Sequence, residues 1–157
     1  MKILKTLAVL IAFAFTTSTL ALSDTHTDAD RAAIERILND NYLNGFYLEL
    51  DGDRVRSAFY PEMRLAVHMG DKIEYIPLEG WMAYEGIGTA PENLTEDQKA
   101  KSSAELEIVS IDMVGSSAFA MAKIFINGQL LYTNFYGLYK VGDKWQVVNK
   151  LFEQHQH

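Results

Sequence analysis

The chain has 157 residues and no cysteine, and its 21 acidic side chains against 14 basic ones give a formal charge of −7 at pH 7. Without cysteine there is no disulfide, thiolate zinc site, iron–sulfur cluster or cysteine nucleophile. The acidic balance argues against nucleic acid as a partner, since such binding depends on a basic patch that neutralises phosphates. Aromatic residues make up 11% of the chain, and their location is the feature to explain.

The first 22 residues are typical of a secretory signal peptide. A short basic region at Met1–Lys5 precedes an apolar run from Thr6 to Phe15, and Ala21–Ser23 offers small residues for cleavage. The apolar run is shorter than the roughly 20 residues that cross a bilayer, which disfavours an uncleaved anchor helix. We therefore expect a periplasmic or secreted protein with no membrane contact after cleavage, and a single domain over residues 23–157.

The chain that follows has the pattern of three helices and a hairpin. Apolar residues recur at steps of three and four from Thr27 onward, and Asp51-Gly52-Asp53 marks a turn that can cap a second helix. In chain order, we predict a helix from Thr27 through Tyr42 and Phe46, a short helix at Val55–Phe59, a hairpin of Arg64–His68 and Ile73–Ile76, and a helix at Glu79–Tyr84.

The carboxy-terminal half predicts an antiparallel meander. Asn127-Gly128 between two apolar runs is the strongest of its hairpin signals, and residues 86–103 before the meander are predicted to be a loop. The predicted strands are Glu105–Val114, Ala118–Ile126, Gln129–Val141 and Lys144–Phe152. Helices followed by such a meander indicate an α+β domain with the helices on one face of the sheet.

The turns also predict which side chains share a face, because they fix the register in which the strands pair. One face collects Phe119, Met121, Lys123, Phe125, Leu130, Tyr132, Asn134, Tyr136, Leu138, Trp145, Val147, Asn149 and Leu151. The opposite face collects Ala118, Ala120, Ala122, Ile124, Leu131, Thr133, Phe135, Tyr139, Gln146, Val148, Lys150 and Phe152. We assign the first face to the helices and any cavity, and the second, which is too apolar to remain in water, to a homodimer contact.

Four polar residues on the first face bear on function. Buried phenol and amide groups are costly unless they are hydrogen-bonded, so Tyr132, Asn134, Tyr136 and Asn149 imply either a buried network or a polar ligand.

Several segments together resemble the nuclear-transport-factor-2-like superfamily, over about residues 28–153. They are Tyr42-Leu43-Asn44-Gly45, Phe59-Tyr60-Pro61, Gly80-Trp81, Ile111–Ala118, and the closing pair Tyr132–Lys140 and Trp145–Phe152. The match is closest to its SnoaL-like and putative lumazine-binding branch. The resemblance implies a cystatin-like, cone-shaped α+β fold, in which a curved antiparallel sheet wraps around the amino-terminal helices and a pocket, and commonly a homodimer through the outer sheet face.

The superfamily does not imply one activity, because it includes isomerases, dehydratases, cyclases and binding proteins. Relatives often carry an acid where this chain has Asn134, and an amide cannot accept a proton at neutral pH. Our leading hypothesis is an exported protein that binds a small apolar or aromatic molecule. The expected ligand-binding residues are Tyr42, Phe46, Phe59, Trp81, Tyr132, Asn134, Tyr136, Trp145 and Asn149.

The alternative is a small isomerase or dehydratase in which His68 or Asp112 is the general base and a tyrosine stabilises an oxyanion. Both residues also have a structural interpretation. His68 can be an ordinary residue of the hairpin, and Asp112 can brace the turn that follows it. A third possibility is an interaction module whose cone is filled by Phe46, Trp81 and Trp145. The sequence has no HExxH helix, glycine-rich phosphate loop or GxSxG elbow, so we expect no metal and no cofactor.

Overall fold

The computed structural model describes residues 28–89, 93, 95–96 and 103–155, so the predicted signal peptide and much of the predicted 86–103 loop lie outside the described residues. The helices are α1 (Asp28–Arg36), a π-helical segment that continues it (Ile37–Leu48), α2 (Gly52–Ala58) and α3 (Leu78–Tyr84). Within these ranges no helix combines the length and the apolar character needed to cross a membrane.

The π-helical segment changes which residues share a face. The Glu49 N–H donates to the Asn44 carbonyl at 2.8 Å, five residues back, as π-helical geometry requires. Residues four and five apart then lie side by side, and Tyr42 has ring centroids of Phe46 and Tyr47 at 5.5 and 5.9 Å. An α-helical period predicts that Tyr47 lies away from the face of Tyr42 and Phe46, whereas the wider π-helical turn places Tyr47 on that face.

Helix α2 packs directly onto the π-helical segment at Gly45. A Cβ atom at Gly45 would lie 3.1 Å from the Cβ of Arg54, so a larger residue would separate the two helices. The Asp51 carboxylate caps α2 by accepting from the N–H groups of Asp53 and Arg54 at 3.0 and 3.1 Å. The chain then enters the first strand at Phe59, earlier than the predicted hairpin.

The six strands form one curved, unclosed mixed sheet, in agreement with the predicted α+β cone. They are β1 (Phe59–Met69), β2 (Lys72–Pro77), β3 (Ala104–Val114), β4 (Ser117–Ile126), β5 (Gln129–Val141) and β6 (Lys144–Gln154). Their order is β2-β1-β6-β5-β4-β3, with β1 and β6 parallel and the other neighbours antiparallel. The predicted strands and turns of the carboxy-terminal half are confirmed.

The predicted face of β4 is wrong, because a bulge interrupts its pairing with β5. Phe125 pairs with Leu130 as predicted, but Ile124 pairs with Tyr132, which leaves Leu131 as an extra residue. One inserted residue moves each later pair to the other face. The buried residues of β4 are therefore Ala118, Ala120, Ala122, Ile124 and Ile126, whereas Phe119, Met121, Lys123 and Phe125 lie on the outer face.

A second bulge, between β5 and β6, changes the end of β6. Leu138 pairs with Val147 as predicted, but Gly137 pairs with Asn149, which leaves Val148 as the extra residue. Before the bulge, Trp145 and Val147 are buried as predicted. After it, Lys150 and Phe152 turn inward and Asn149 and Leu151 turn outward, opposite to their predicted faces.

Candidate functional site

A cavity of about 530 Å³ lies between the inner sheet face and the helices. This volume is space that Phe46, Trp81 and Trp145 leave open among the described residues. The aromatic walls of the cavity are Phe46, Tyr47, Trp81, Tyr84, Tyr132 and Phe152. The aliphatic lining comes from Leu65, Val67, Met69 and Ile76, and the polar lining from Glu74, Glu85, Lys150 and Gln154. This volume lies in the range of about 300 to 1,000 Å³ that is usual for small-molecule sites.

The aromatic walls are held by ring packing. Phe46 and Trp81 lie with centroids 4.4 Å apart and planes inclined by 32°, and Tyr132 meets Phe152 edge to face at 5.6 Å. Such pairs contribute about 0.5 to 1.5 kcal/mol beyond the area that they bury. The walls are therefore fixed by their own contacts and present ring surface to the cavity.

Tyr42 lies behind these walls as the centre of the buried aromatic core. Its ring centroid lies 5.5 Å from that of Phe59, 5.8 Å from that of Tyr136 and 6.1 Å from that of Trp81. Its hydroxyl lies 3.4 Å from the hydroxyl of Tyr47. Burial raises the pKa of Tyr42, Tyr47 and Tyr136 well above the usual tyrosine value, so these hydroxyls stay protonated at neutral pH and can donate hydrogen bonds.

Lys150 is the buried charged residue of the cavity, with only 4% of its surface exposed. Its Nζ lies 4.8 Å from the Trp81 ring centroid, 4.9 Å from that of Phe152 and 5.8 Å from that of Tyr42. Desolvation lowers the pKa of Lys150 to about 7, although the negative charge of Glu85 acts in the opposite direction. Near neutral pH, this amine is divided between its charged and neutral forms.

Two polar side chains of β5 lie buried beside Lys150 and Phe152. Asn134 pairs with Phe152 across the ladder, and Tyr136 pairs with Lys150. The amide atoms of Asn134 and the hydroxyl of Tyr136 form no hydrogen bond of normal length and angle with the described residues, although the Tyr42 hydroxyl and the Asn134 amide lie close enough to Tyr136 to act on its pKa. A ligand that supplied better-placed partners would strengthen these interactions, so the predicted alternatives, a buried network and a polar ligand, both stay open.

Asn149, a predicted ligand residue, lies on the outer face and supports the bulge. Its Oδ1 accepts a hydrogen bond from the backbone N–H of Gly137 at 3.0 Å. A Cβ atom at Gly137 would lie 2.6 Å from that same oxygen, so glycine leaves the room that this contact needs. The structure thus gives Asn149 a role in positioning β6 and no place in the cavity wall.

Trp145, another predicted ligand residue, belongs to a separate polar cluster. Its Nε1 donates to Asp30 Oδ1 at 2.9 Å, and Lys140 Nζ lies 2.7 Å from the same oxygen. Trp145 is buried but does not line the cavity. We define these three residues, Asp30, Lys140 and Trp145, as the Asp30 cluster.

The structure does not bring the two predicted bases to the cavity. His68 lies in β1 and Asp112 in β3, both are exposed, and neither belongs to the cavity lining. The sheet order separates their strands by β6, β5 and β4. Among the described residues, no group of three His, Asp or Glu side chains is placed to hold a metal ion.

Three of the predicted ligand residues, Phe46, Trp81 and Tyr132, line the cavity. Four more are buried next to it without lining it: Tyr42, Phe59, Asn134 and Tyr136. Sequence reasoning missed Lys150 and Phe152. The available signal was Gly137, because a glycine inside a strand often marks a bulge.

The comparisons with known proteins agree with this fold. The family model described as Putative lumazine-binding matches residues 29–153. The structure of an NTF2-like (nuclear-transport-factor-2-like) protein of unknown function from Shewanella baltica OS155 superposes with a TM-score of 0.65 and 26% identity, covering 85% of this chain and 100% of that one. A similar protein of unknown function from Methylobacillus flagellatus KT gives a TM-score of 0.65 and 24% identity, covering 84% of this chain and 97% of that one.

A more distant neighbour is a domain of unknown function with a cystatin-like fold from Nostoc punctiforme PCC 73102. It has a TM-score of 0.55 and 15% identity, and the match covers 83% of this chain and 80% of that one. No curated protein shows significant sequence similarity to this chain. By its family match and its fold, the chain belongs to the Putative lumazine-binding family of the NTF2-like superfamily.

Proposed function

We propose that this protein binds a small, flat organic molecule in the cavity. The observation that carries the proposal is a cavity of about 530 Å³ whose walls include six aromatic side chains and a few polar groups. Flat ligands gain from ring contact, and the Phe46–Trp81 pair provides two neighbouring rings at the wall. The buried amide of Asn134 and hydroxyl of Tyr136 lie beside Phe152 and Lys150 of its lining.

The family description supports this class of ligand. It names lumazine, a fused two-ring heteroaromatic compound, as what members are thought to bind. Such a molecule offers a flat ring for the aromatic walls and carbonyl and N–H groups for polar ones. Lumazine is therefore the first compound to test, as a probe of the flat heteroaromatic class.

The test is a fluorescence titration that separates the two tryptophans. Trp81 lines the cavity and Trp145 does not, so Trp145→Phe leaves one reporter at the site. We expect lumazine to quench Trp81 in that variant, and the Trp81→Phe variant to respond much less. In the same Trp145→Phe background, Val67→Phe, which places bulk inside the cavity, should abolish quenching, while Val141→Phe at an exposed position should not. Equal binding by both of these variants would contradict the proposal.

We also propose that the protein acts in the periplasm or outside the cell. The support is the charge and hydropathy pattern of residues 1–22. Fractionation of the native host followed by intact-mass measurement should show a chain that has lost about these residues, whereas a full-length chain in the cytoplasm would contradict it.

We further propose that the outer sheet face forms a homodimer contact. Phe119, Tyr139 and Leu151 are exposed there, at 47%, 52% and 47% of their surface. Sedimentation should show a dimer at micromolar concentration that Leu151→Glu dissociates, and a wild-type protein that is monomeric under these conditions would contradict the contact.

A further inference from the structure

Lys150 differs from Lys72 and Lys140, two described lysines that form ion pairs. Lys72 pairs with Glu74, and Lys140 pairs with Asp30 at 2.7 Å. Lys150 makes no ion pair with a carboxylate of the described residues, and its Nζ faces aromatic rings at the cavity wall. We propose that the Lys150 amine is a nucleophile that forms an imine with the carbonyl group of a small aromatic aldehyde or ketone held in the cavity. This inference rests on the proposed function.

The position of Lys150 suits a reaction with a bound molecule. The side chain comes from β6 beyond the Val148 bulge and reaches the lining between Trp81 and Phe152. An aromatic carbonyl compound that stacks on these walls would have its carbonyl carbon close to the same surface. The surrounding side chains leave only 4% of the Lys150 surface exposed.

The charges around the cavity favour a neutral carbonyl compound over an anion. The lining contains two carboxylates, Glu74 and Glu85, and one amine. The chain as a whole is also acidic, with a formal charge of −7. An anionic ligand would gain from Lys150 but would meet repulsion from the rest of this surface, whereas a neutral aldehyde or ketone would not.

The protonation of Lys150 is compatible with nucleophilic attack at neutral pH. Burial lowers its pKa to about 7, so roughly half of the amine carries a free lone pair there, against about 0.03% for an ordinary lysine. The titratable groups around it are Tyr42 and Tyr47 of the π-helical segment, Tyr132 and Tyr136 of β5, Tyr84 of α3, Glu74 of β2 and Glu85 after α3. Burial raises the pKa of Tyr42, Tyr47 and Tyr136, so these three add no charge at this pH.

The reaction balances without a further reagent. The Nζ lone pair attacks the carbonyl carbon, a C–N bond forms as the C=O π bond opens, and the oxygen takes a proton to give a carbinolamine. Nitrogen then loses its remaining proton and the hydroxyl leaves as water, so that amine and carbonyl give imine and water. Glu85 lines the same cavity and supplies a carboxylate that can carry these protons.

The test is reductive trapping of the full-length protein with benzaldehyde and sodium cyanoborohydride, followed by peptide mapping. We expect the benzyl adduct at Lys150 to form at least about tenfold faster at pH 7 than at Lys144, an exposed lysine of the same strand. The ratio of Lys150 to Lys144 labelling in one reaction should fall as the pH rises from 7 to 10, because the lone pair of Lys150 is already half free near pH 7. Benzyl alcohol, which has the ring but no carbonyl group, should slow labelling of Lys150 and leave Lys144 unchanged.

Variants separate chemistry from folding. Lys144→Arg should leave the Lys150 adduct unchanged, and Lys150→Arg and Lys150→Met should remove it, with near-ultraviolet circular dichroism reporting whether each variant is folded. The benzyl alcohol experiment uses the wild-type chain and so needs no variant. Labelling of Lys150 no faster than Lys144 would overturn the imine proposal. If lumazine still quenched Trp81 in that case, the proposed binding function would stand; if it did not, both would fall.

Discussion

Two lysines of neighbouring strands have opposite surroundings. In the Asp30 cluster, Lys140 of β5 lies 2.7 Å from a carboxylate oxygen that also accepts the indole N–H of Trp145. Lys150 of β6 has three aromatic ring centroids at 4.8 to 5.8 Å from its amine and forms no ion pair within the part of the chain that the structure describes. The fold therefore pairs one lysine with a carboxylate and leaves the other without an ion pair among the described residues, and the lysine without an ion pair is the one beside the cavity.

The same contrast holds for neutral polar groups. Asn134 and Tyr136 are fully buried beside Lys150, and we refer to these three residues as the Lys150 cluster. A buried polar group without a partner costs about 1 to 3 kcal/mol. Stability alone therefore gives no reason for the Lys150 cluster, whereas ligand binding does. The comparison predicts that substitutions in the two clusters change the free energy of unfolding in opposite directions.

The largest effect is expected from the two lysines. Because the pKa of Lys150 is lowered to about 7 by folding, the unfolded chain binds more protons between about pH 7 and 10, and wild-type stability rises with pH across that window. Lys150→Met should thus be more stable than wild type by about 2 to 4 kcal/mol at pH 7, and this difference should shrink toward pH 10. Urea unfolding at several pH values measures it.

Lys140→Met is the matched control for that prediction. It removes a partly exposed ion pair, so it should lower the free energy of unfolding by about 1 kcal/mol. A Lys150→Met variant that loses stability at pH 7 as Lys140→Met does would break the contrast between the clusters.

The next effect concerns the indole of Trp145. Trp145→Phe keeps most of the buried ring and removes the N–H that donates to Asp30 at 2.9 Å. Hydrogen bonds to charged groups contribute more than neutral ones, so we expect a loss of about 2 kcal/mol in chemical denaturation. An unchanged midpoint and slope would show that the Asp30 cluster adds nothing to stability.

A smaller effect of opposite sign is expected at Asn134. Asn134→Leu replaces an unpartnered amide by an apolar group of similar size, so the free energy of unfolding should rise by about 1 kcal/mol. The matched control is Asn41→Leu, whose amide donates to Ser57 Oγ at 2.6 Å and whose replacement should lower stability slightly. Destabilisation by Asn134→Leu would show that its amide has a partner in solution.

The smallest effect tests the Val148 bulge. Asn149→Ala removes the acceptor for the Gly137 N–H and should cost less than about 1 kcal/mol. Gly137→Ala should cost more in the wild type than in the Asn149→Ala background, because its Cβ would lie 2.6 Å from Asn149 Oδ1. Strict additivity in this double-mutant cycle would contradict the close contact.

The element order was predictable from sequence because it depends on local signals. The helical period before Phe46, the hairpin at Asn127-Gly128 and the alternating strands all specify structure within a few residues, and the structure has each of them. The inner face of β5 was also correctly predicted from Tyr132 through Leu138. The cavity walls contributed by Phe46 and Trp81 followed from the same patterns.

The composition of the site was harder to predict, because it depends on two inserted residues. Leu131 and Val148 look like any other strand residues, yet each reverses the facing of the residues paired beyond it. The backbone geometry of Ile37–Leu48 was likewise not encoded in a helical period that reads equally well as α. Lys150 and Tyr47 were missed for these two reasons.

The Val148 bulge has a consequence for how such pockets can diversify. Deleting one residue from β6 would exchange the pair Lys150 and Phe152 for their outward neighbours, so a basic aromatic wall would become a polar and aliphatic one without any new side chain. Length variation at this position is thus an economical route to altered ligand preference. A comparison of β6 lengths among relatives would show whether a one-residue insertion or deletion, rather than a substitution, changes which side chains face their cavities.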